Sequence, residues 1–311
     1  MHFGRFWNSF CSSFGNLTGQ VTMNYALISS NSRMRFSVKH HYYLIASLPD
    51  LKWEGEAPFP ITAFLEENET ALSPLSDNVN DIILLNDLKN MHGYIKVQCA
   101  DYITGSSKRS REALDAEFYQ PSLFDKETIR ELLAEPDELP EFIVSFLVEN
   151  KECTDRYENI DSLFAAYYDY LGQKDSDFFK SYSLFESSLR KVIAAFRARS
   201  QGLDVETSVP GSDEITDTIL ANHTVSDFGL KNIFPYIGEM VEVFKEDTLN
   251  REKKLDKIRF SFLENFTGED PFKEDCVYAY IFQLLILERW QMLDREKGKQ
   301  IVANIVTGEI S

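Results

Sequence analysis

The stretch Asp177-Phe-Phe-Lys-Ser-Tyr-Ser-Leu-Phe-Glu-Ser-Ser-Leu-Arg-Lys-Val-Ile-Ala-Ala-Phe-Arg-Ala-Arg-Ser-Gln-Gly-Leu203 decides the fold class. Its large apolar residues recur at steps of three and four, which is the spacing of one face of a helix. Gly202 provides a stop, because glycine readily adopts the left-handed conformation that ends many helices. Pro210-Gly211 then predicts a turn. The stretch therefore predicts one long amphipathic helix whose apolar stripe packs against other elements. The stripe consists of Phe178, Tyr182, Phe185, Leu189, Val192 and Phe196.

Similar helical patterns continue on both sides of this stretch. Ser76–Met91 carries a helical stripe that Gly93 is predicted to end, and Asp125 is placed to cap a helix running to Ala134. Asp227-Phe228-Gly229 predicts a short break between helices. Further helices are predicted at Glu141–Asn150, at Asp155–Leu171, from Ser212-Asp213, over Phe234–Phe266 as a pair or one long helix, and from Asp270-Pro271 with an interruption at Lys297-Gly298-Lys299.

The beginning of the chain reads differently from the rest. Phe36–Ser47 is rich in β-forming residues and fits a strand, although a short buried helix fits it as well. Residues 1–33 are basic and rich in serine and asparagine, so we expect either a disordered extension or a true start at Met23 or Met34 rather than Met1. The predicted fold is mostly α: an elongated or curved multi-helix body over residues 34–311, without a clear internal linker, and with a short β element near the N-terminus as an option.

Composition and charge exclude several classes of partner. The chain has 311 residues and a formal net charge of −18 at pH 7. Such a charge repels phosphate backbones and anionic lipid surfaces, so we expect neither nucleic-acid binding nor adsorption to a membrane surface. A protein partner with basic patches is a better match. No apolar run approaches the roughly 18 residues that a membrane-spanning helix needs, so direct membrane insertion is not expected.

The cysteines and histidines give no recognisable catalytic or metal pattern. The four cysteines, at positions 11, 99, 153 and 276, are far apart in sequence, and a secreted disulfide framework would be denser. We therefore expect free thiols in a reducing cytoplasm. Cys153 and His223 could form a nucleophile–base pair, but no motif surrounds either residue and simple packing of the thiol is favoured. The sequence lacks GxGxxG, HExxH and GxSxG, so no catalytic residue, cofactor or metal is predicted.

Glu288 is the polar residue that most needs an explanation. It continues the inward positions Ile281, Leu284 and Leu285 of the last helix. A carboxylate placed there must be paired or lie at an interface, because its burial alone is costly. The alternative is that Glu288 reaches solvent at the edge of a narrow apolar stripe.

The C-terminal end of the predicted long helix has several arginines followed by a glycine, and this pattern is similar to one in a known protein family. The segment Phe185-Glu-Ser-Ser-Leu-Arg190 leads to Ala194-Ala-Phe-Arg197-Ala-Arg199-Ser-Gln-Gly202 and then to Val209-Pro-Gly211. It resembles a helix in the C-type subunit of V/A-type ATPases (the d-type subunit in eukaryotes), which ends in an arginine-rich turn, a glycine and a Pro-Gly entry to the next helix.

The last helix supports the same resemblance. It carries Pro271-Phe272, Val277-Tyr-Ala-Tyr280, and Leu287-Glu288-Arg289 running to Lys297-Gly298-Lys299. This order is similar to the aromatic helix with an embedded glutamate in the C-type subunit.

The segment Tyr42-Tyr-Leu-Ile-Ala-Ser-Leu-Pro-Asp-Leu51 adds a second link. It resembles the opening of a bacterial family that is usually encoded in V-type ATPase operons lacking an obvious C-type subunit. It stands where the C-type subunit has an arginine-rich first helix.

The resemblance implies a non-catalytic coupling part rather than an enzyme. Such a part would link the central stalk of a V/A-type ATPase to the membrane rotor ring, and would be cytoplasmic and peripherally associated with the inner membrane. The alternatives are an ATPase assembly factor or adaptor, and a hydrolase with an unrecognised motif. The residues expected near the stalk-facing or ring-facing surface are Arg190, Arg197, Arg199, Glu288 and Arg289.

Overall fold

The structure is a computed structural model that describes residues 42–99, 118–136, 139–266 and 272–307, with side chains described as far as residue 293 in the last range. The described residues form two compact units. The main unit contains residues 42–190 and 248–307, and the small unit contains residues 191–247. The expectation for residues 1–33 lies outside the described residues.

Helices make up both units, and no strand occurs in the ranges that the structure describes. The mostly α fold class is thus confirmed. The optional β element is not seen, because residues 42–47 form a helix, α1, and the remainder of Phe36–Ser47 is outside the described ranges. The other helices of the main unit are α2 (Ile61–Glu67), α3 (Glu69–Leu72), α4 (Ser76–Gln98), α5 (Lys126–Ala134), α6 (Glu141–Glu149), α7 (Cys153–Glu158), α8 (Ile160–Gly172), α13 (Thr248–Phe266) and α14 (Asp275–Thr307).

The predicted long helix exists as α9 (Asp177–Gln201) and passes through the boundary between the two units at residues 190 and 191. All six residues of the predicted apolar stripe are buried. Gly202 follows with φ +68°, the left-handed conformation expected of a helix stop. The amphipathic pattern therefore predicted both the extent and the inward face of this helix.

Aromatic rings form the centre of the main unit. Phe178 of α9 contacts Tyr278 and Phe282 of α14 at centroid distances of 6.1 and 6.0 Å, and Phe266 of α13 at 5.1 Å. About two turns further along α9, Phe185 stacks on Phe262 of α13 at 4.1 Å. Rings in offset or edge-to-face pairs stabilise a core beyond the area they bury. These contacts hold α9, α13 and α14 together.

Two predicted boundaries in the long helices are wrong. Helix α4 runs through Gly93 to Gln98, because Ile95 and Cys99 continue the buried stripe and their burial outweighs the roughly 1 kcal/mol cost of an internal glycine. Helix α14 is likewise uninterrupted at residues 297–299. The region 234–266 is a pair of helices, one of the two options that the sequence allowed.

The small unit contains the end of α9 and the short helices α10 (Val205–Ser208), α11 (Glu214–Ala221) and α12 (Ile237–Val243). Asp213 caps α11 by accepting a 2.9 Å hydrogen bond from the Thr216 backbone N–H. The predicted break falls at Phe228 and Gly229, which both have positive φ.

None of the described helices is both long enough and apolar enough to cross a bilayer.

The expectation of free thiols is wrong for two cysteines. Cys99, at the end of α4, is joined by a disulfide to Cys153, at the start of α7, with Cα atoms 6.0 Å apart. Cys276 is buried and is not part of a disulfide, as expected. Sequence spacing gave no sign of the pair, because the two cysteines are separated by 54 residues and meet only through helix packing.

Candidate functional site

A buried network of charged side chains connects three long helices of the main unit, α9, α13 and α14. Glu186 of α9 has no exposed surface, and its Oε1 accepts a 2.7 Å hydrogen bond from Nε of Arg259 on α13. The Tyr182 hydroxyl donates to the same oxygen at 3.3 Å. Burial alone would lower the pKa of Arg259, but the carboxylates of Glu186 and Asp256 outweigh it and raise that pKa. The Arg259 guanidinium therefore keeps its charge inside the protein.

Asp256 extends the network from α13 to α14. Its Oδ1 accepts from Nη1 of Arg259 at 3.0 Å, and its Oδ2 accepts from Nη1 of Arg289 at 2.6 Å. The indole N–H of Trp290 donates to the same Oδ2 at 3.1 Å. Arg289 also lies 3.8 Å from Glu252. Every buried carboxylate of the network thus has a cationic partner, as burial of charge requires.

Two further cations border the network. Burial lowers the pKa of Lys89 on α4 to about 8, and the positive charge of Arg289 contributes to this decrease. The Lys89 amine donates to Asn86 at 3.2 Å and lies 5.3 Å from the centre of the Tyr119 ring. The Arg190 guanidinium lies over the rings of Phe164 and Tyr168, at 5.3 and 5.0 Å from their centres. The Arg190 contacts attach α8 to α9 beside the network.

The network holds helices together and offers little for acid–base chemistry. Glu186 and Asp256 already pair with Arg259 and Arg289, so their oxygens are engaged with partners inside the protein. Among the described residues, no group of three or more histidine, cysteine, aspartate or glutamate side chains is arranged to hold a metal ion. Ionic and aromatic contacts of this kind fix the relative positions of long helices.

Three of the five residues that were predicted near a partner surface lie in the main unit. Arg289 belongs to the network, and Arg190 packs on aromatic rings beside it. Glu288 is half-buried, and its Oε1 accepts a 2.9 Å hydrogen bond from the Ile61 backbone N–H at the start of α2. Burial raises the pKa of Glu288, although this hydrogen bond opposes the rise. The structure supports pairing as the explanation for Glu288, with a helix N-terminus as the partner.

The other two arginines lie in the small unit. Arg199 donates to the backbone carbonyls of His223, Val225 and Ser226 at 2.6 to 3.0 Å, and its guanidinium lies 3.6 Å from the centre of the Phe228 ring. Desolvation lowers the pKa of Arg199. This residue therefore fastens the turn before Phe228, whose φ of +51° is unusual for a bulky side chain. Arg197 is exposed.

The suggested nucleophile–base pair of Cys153 and His223 finds no support. The Cys153 sulfur is bonded to Cys99, and His223 directs Nδ1 to the Leu220 carbonyl at 3.1 Å. A cysteine sulfur that is bonded in a disulfide has no thiolate form and cannot act as the nucleophile.

Glu186, Asp256 and Arg259 were not predicted from the sequence. Glu186 lies four residues after Tyr182 and three before Leu189, so an acid at an inward position of the helical stripe was a signal that could have found it. Asp256 shows the same signal, four residues before Phe260 on the buried face of α13.

Comparisons with known proteins give a family and two relatives. The family model described as "Protein of unknown function (DUF2764)" matches residues 38–309. An uncharacterised protein of Chlamydia muridarum (strain MoPn / Nigg) is 23% identical over 175 residues, which cover 53% of this chain and 63% of the relative. An uncharacterised protein of Chlamydia pneumoniae is 25% identical over 177 residues, covering 55% of this chain and 66% of the relative. The matches thus span a little under two thirds of the length of these two relatives. No solved structure gives a significant match.

Proposed function

The chain belongs to the DUF2764 family, and from that premise we propose that it is a non-catalytic coupling component of a V/A-type ATPase. It would link the central stalk to the membrane rotor ring, and would lie in the cytoplasm at the inner membrane surface. ATP hydrolysis would be carried out by other components of the complex. The proposal begins from the resemblance of Phe185–Gly202 and of Leu287-Glu288-Arg289 to the C-type subunit of these ATPases.

The buried charge network is the observation that supports this function best. It joins α9, α13 and α14 through Glu186, Asp256, Arg259 and Arg289. A part that transmits torque must resist relative movement of its helices under load. Ion pairs with several hydrogen bonds inside an aromatic core oppose such movement, because sliding one helix would leave buried charges without partners.

The two stretches that carry the resemblance are helices in the structure. Helix α9 is followed by Gly202 in the left-handed conformation, and α14 carries Glu288 and Arg289 near its middle. The helical form of both stretches is compatible with the resemblance to a C-type subunit.

Purification from native membranes tests the proposal. The chain would be tagged at its chromosomal locus, extracted in mild detergent with the assembled ATPase, and quantified against the catalytic and stalk components. We expect a fixed ratio of the chain to those components in complexes that hydrolyse ATP. A chain that is absent from active complexes, or present in a small and variable fraction of them, would contradict a coupling role, and the second result would point to an assembly factor.

Arg197 offers the best point mutation for the same assay, because it is exposed and its reversal should not disturb the core. We expect Arg197→Glu to weaken co-purification with the ATPase while thermal unfolding of the isolated chain is unchanged. Lys231→Glu, at another exposed cation of the small unit, is the matched control. Equal co-purification of the two variants would remove Arg197 from the interface.

A further inference from the structure

Helix α13 separates its charges between two faces. It contains five basic and three acidic residues, a net charge of +2, within a chain whose net charge is −18. Glu252 and Asp256 are directed to Arg289, at 3.8 and 2.6 Å, and Asp256 also pairs with Arg259. Two of the three acidic residues of α13 therefore face arginines on the side of α14. Only Glu264, near the C-terminal end of the helix, is exposed.

The outer side of α13 is left with lysines. From Thr248 to Leu263 every exposed residue of the helix is either uncharged or a lysine. Leu249, Lys253 and Lys257 follow one another at steps of four, so they lie along one face. All three are exposed. Among the described residues, no carboxylate lies within ion-pairing distance of the amines of Lys253 and Lys257.

Exposed apolar side chains lie at the same end of the helix pair. Helices α13 and α14 are antiparallel, because Phe178 touches Phe266 and Tyr278 while Asp256 pairs with Arg289. Beyond the Asp256–Arg289 pair, α13 has Leu249 and α14 has Met292 and Leu293. These three side chains are 45%, 61% and 38% exposed.

We propose that these five residues, Leu249, Lys253, Lys257, Met292 and Leu293, form a docking surface for an amphipathic helix with an acidic polar face, supplied by a partner protein. The three apolar residues are placed to bury the stripe of such a helix, and the two amines are placed to pair with carboxylates beside it. Anchors at steps of four residues fit the periodicity of a bound helix. The inference goes beyond the coupling role, since it requires only a helical acidic partner and not an ATPase.

Charge complementarity selects this occupant over others. A net charge of −18 repels acidic proteins in general, so an acidic helix would be steered to a helix face whose exposed charges, over four turns, are all positive. A basic helix would be attracted to much of the remaining surface but repelled at this face. The surface therefore contributes specificity and orientation as well as affinity.

A designed peptide tests the docking surface directly. The probe is a fluorescent helical peptide of three heptads, with leucines along one face and glutamates elsewhere, and its control carries lysines in place of the glutamates. Binding to the full chain would be followed by anisotropy at low ionic strength. We expect the acidic peptide to bind, and Lys253→Glu/Lys257→Glu to weaken binding at least tenfold, because each reversal replaces an attraction by a repulsion.

Two further variants separate a specific surface from general charge. Lys231→Glu/Lys273→Glu changes the net charge equally at exposed lysines elsewhere, and we expect it to weaken binding no more than about twofold, as for screened charges at a distance. Leu249→Ser/Met292→Ser should weaken binding as strongly as the lysine reversal. All substituted residues are exposed, so circular dichroism should report unchanged thermal unfolding.

Several results would overturn the proposal. The first is that the acidic peptide does not bind. The second is that the two lysine double variants weaken its binding equally, and the third is that the lysine peptide binds as strongly as the acidic one. Binding to phosphatidylserine vesicles through Lys253 and Lys257 without peptide binding would assign the face to a lipid surface. Concentration-dependent dimerisation that Lys253→Glu/Lys257→Glu abolishes would assign it to a second copy of the chain.

Discussion

Individual side chains in this protein join segments that lie far apart in sequence. Glu288 completes the start of α2, 227 residues away, by accepting the Ile61 N–H, and Arg199 fastens the turn at residues 223–226. The placement of both at a partner surface stays a prediction, and the structure gives each an internal contact as well. Charge reversal at either position would disturb folding as well as any interface, so loss of binding in such variants would be difficult to interpret.

Local capping was predictable at the scale of the residue, whereas distant pairing was not. Asp125 accepts a 2.8 Å hydrogen bond from the Thr128 N–H, as its position three residues earlier indicated. Glu186 and Arg259 are 73 residues apart, and Cys99 and Cys153 are 54 apart. Nothing in the local sequence specifies which distant helix a buried charge or thiol will meet, because helix packing decides it.

His92 of α4 should make stability depend on pH. Its ring packs edge-on to Phe164, and burial, assisted by the charge of Lys96, lowers its pKa from 6.5 to about 4. Between these values the unfolded chain binds a proton that the folded chain does not, so the stability contributed by neutral His92 is lost as pH falls through this window. Between pH 7 and pH 5 the free energy of unfolding should fall less in His92→Phe than in the wild type. We expect a difference of about 1 kcal/mol, which allows for the partial exposure of the ring.

Urea unfolding at the two pH values measures this difference. Asp87 acts in the opposite sense, because burial raises its pKa to about 6 and the folded chain then binds the proton first. Comparing the variant with the wild type cancels the Asp87 contribution. The same loss of unfolding free energy in both proteins would show that His92 is not protected from protonation.

At the scale of the helix, the periodicity of apolar residues predicted where the helices lie along the chain. Buried ion pairs help to fix the positions of α9, α13 and α14 relative to one another. The apolar stripe of α9 predicted a helix that ends at Gly202, and the structure confirms it. The helix end predicted at Gly93 is wrong, because Ile95 extends the buried face of α4 beyond that glycine. Local breakers are overridden when the residues on both sides of them are buried.

The ion pair between α9 and α13 should be strongly coupled. Arg259→Met would leave the fully buried Glu186 carboxylate with only the Tyr182 hydroxyl, and we expect a loss of about 3 to 5 kcal/mol of unfolding free energy. Glu186→Met/Arg259→Met should recover most of that loss, since no unpaired charge remains and Asp256 keeps Arg289 and Trp290. Chemical denaturation of the single and double variants measures the coupling.

Arg289→Met is the control for these single and double variants of Glu186 and Arg259. Arg289 is 38% exposed and Asp256 retains Arg259 in its absence, so we expect a loss of only about 1 kcal/mol. Additive losses in the Glu186 and Arg259 variants would mean that the pair does not interact in solution.

The disulfide between α4 and α7 should stabilise the main unit. Closing a loop of this length restricts the unfolded chain, and loop entropy predicts about 4 kcal/mol. We expect Cys99→Ser, or a reducing agent, to lower the urea midpoint of the wild type, and Cys276→Ser to leave the response to reductant unchanged. Mass spectrometry after alkylation provides the direct check: two modified thiols at positions 99 and 153 in unreduced, native protein would contradict the bond.

At the scale of the whole molecule, the chain combines long helices, a buried charged centre and a strongly negative net charge. The predicted fold class could be read from the sequence because helical periodicity repeats along most of it. The division into two units could not, because its boundary lies inside the continuous helix α9 and no change of composition marks it. The coupling function is a proposal that relies on resemblance and on the rigidity that the network confers.

Ion transport by a reconstituted ATPase tests that function most directly. Complexes from cells lacking this chain would be placed in vesicles, and ATP hydrolysis and ion uptake would be measured before and after adding the purified protein. We predict hydrolysis without uptake in its absence, and restored uptake on addition of wild-type chain but not of Arg259→Met. Equal uptake with and without the chain would contradict a coupling role.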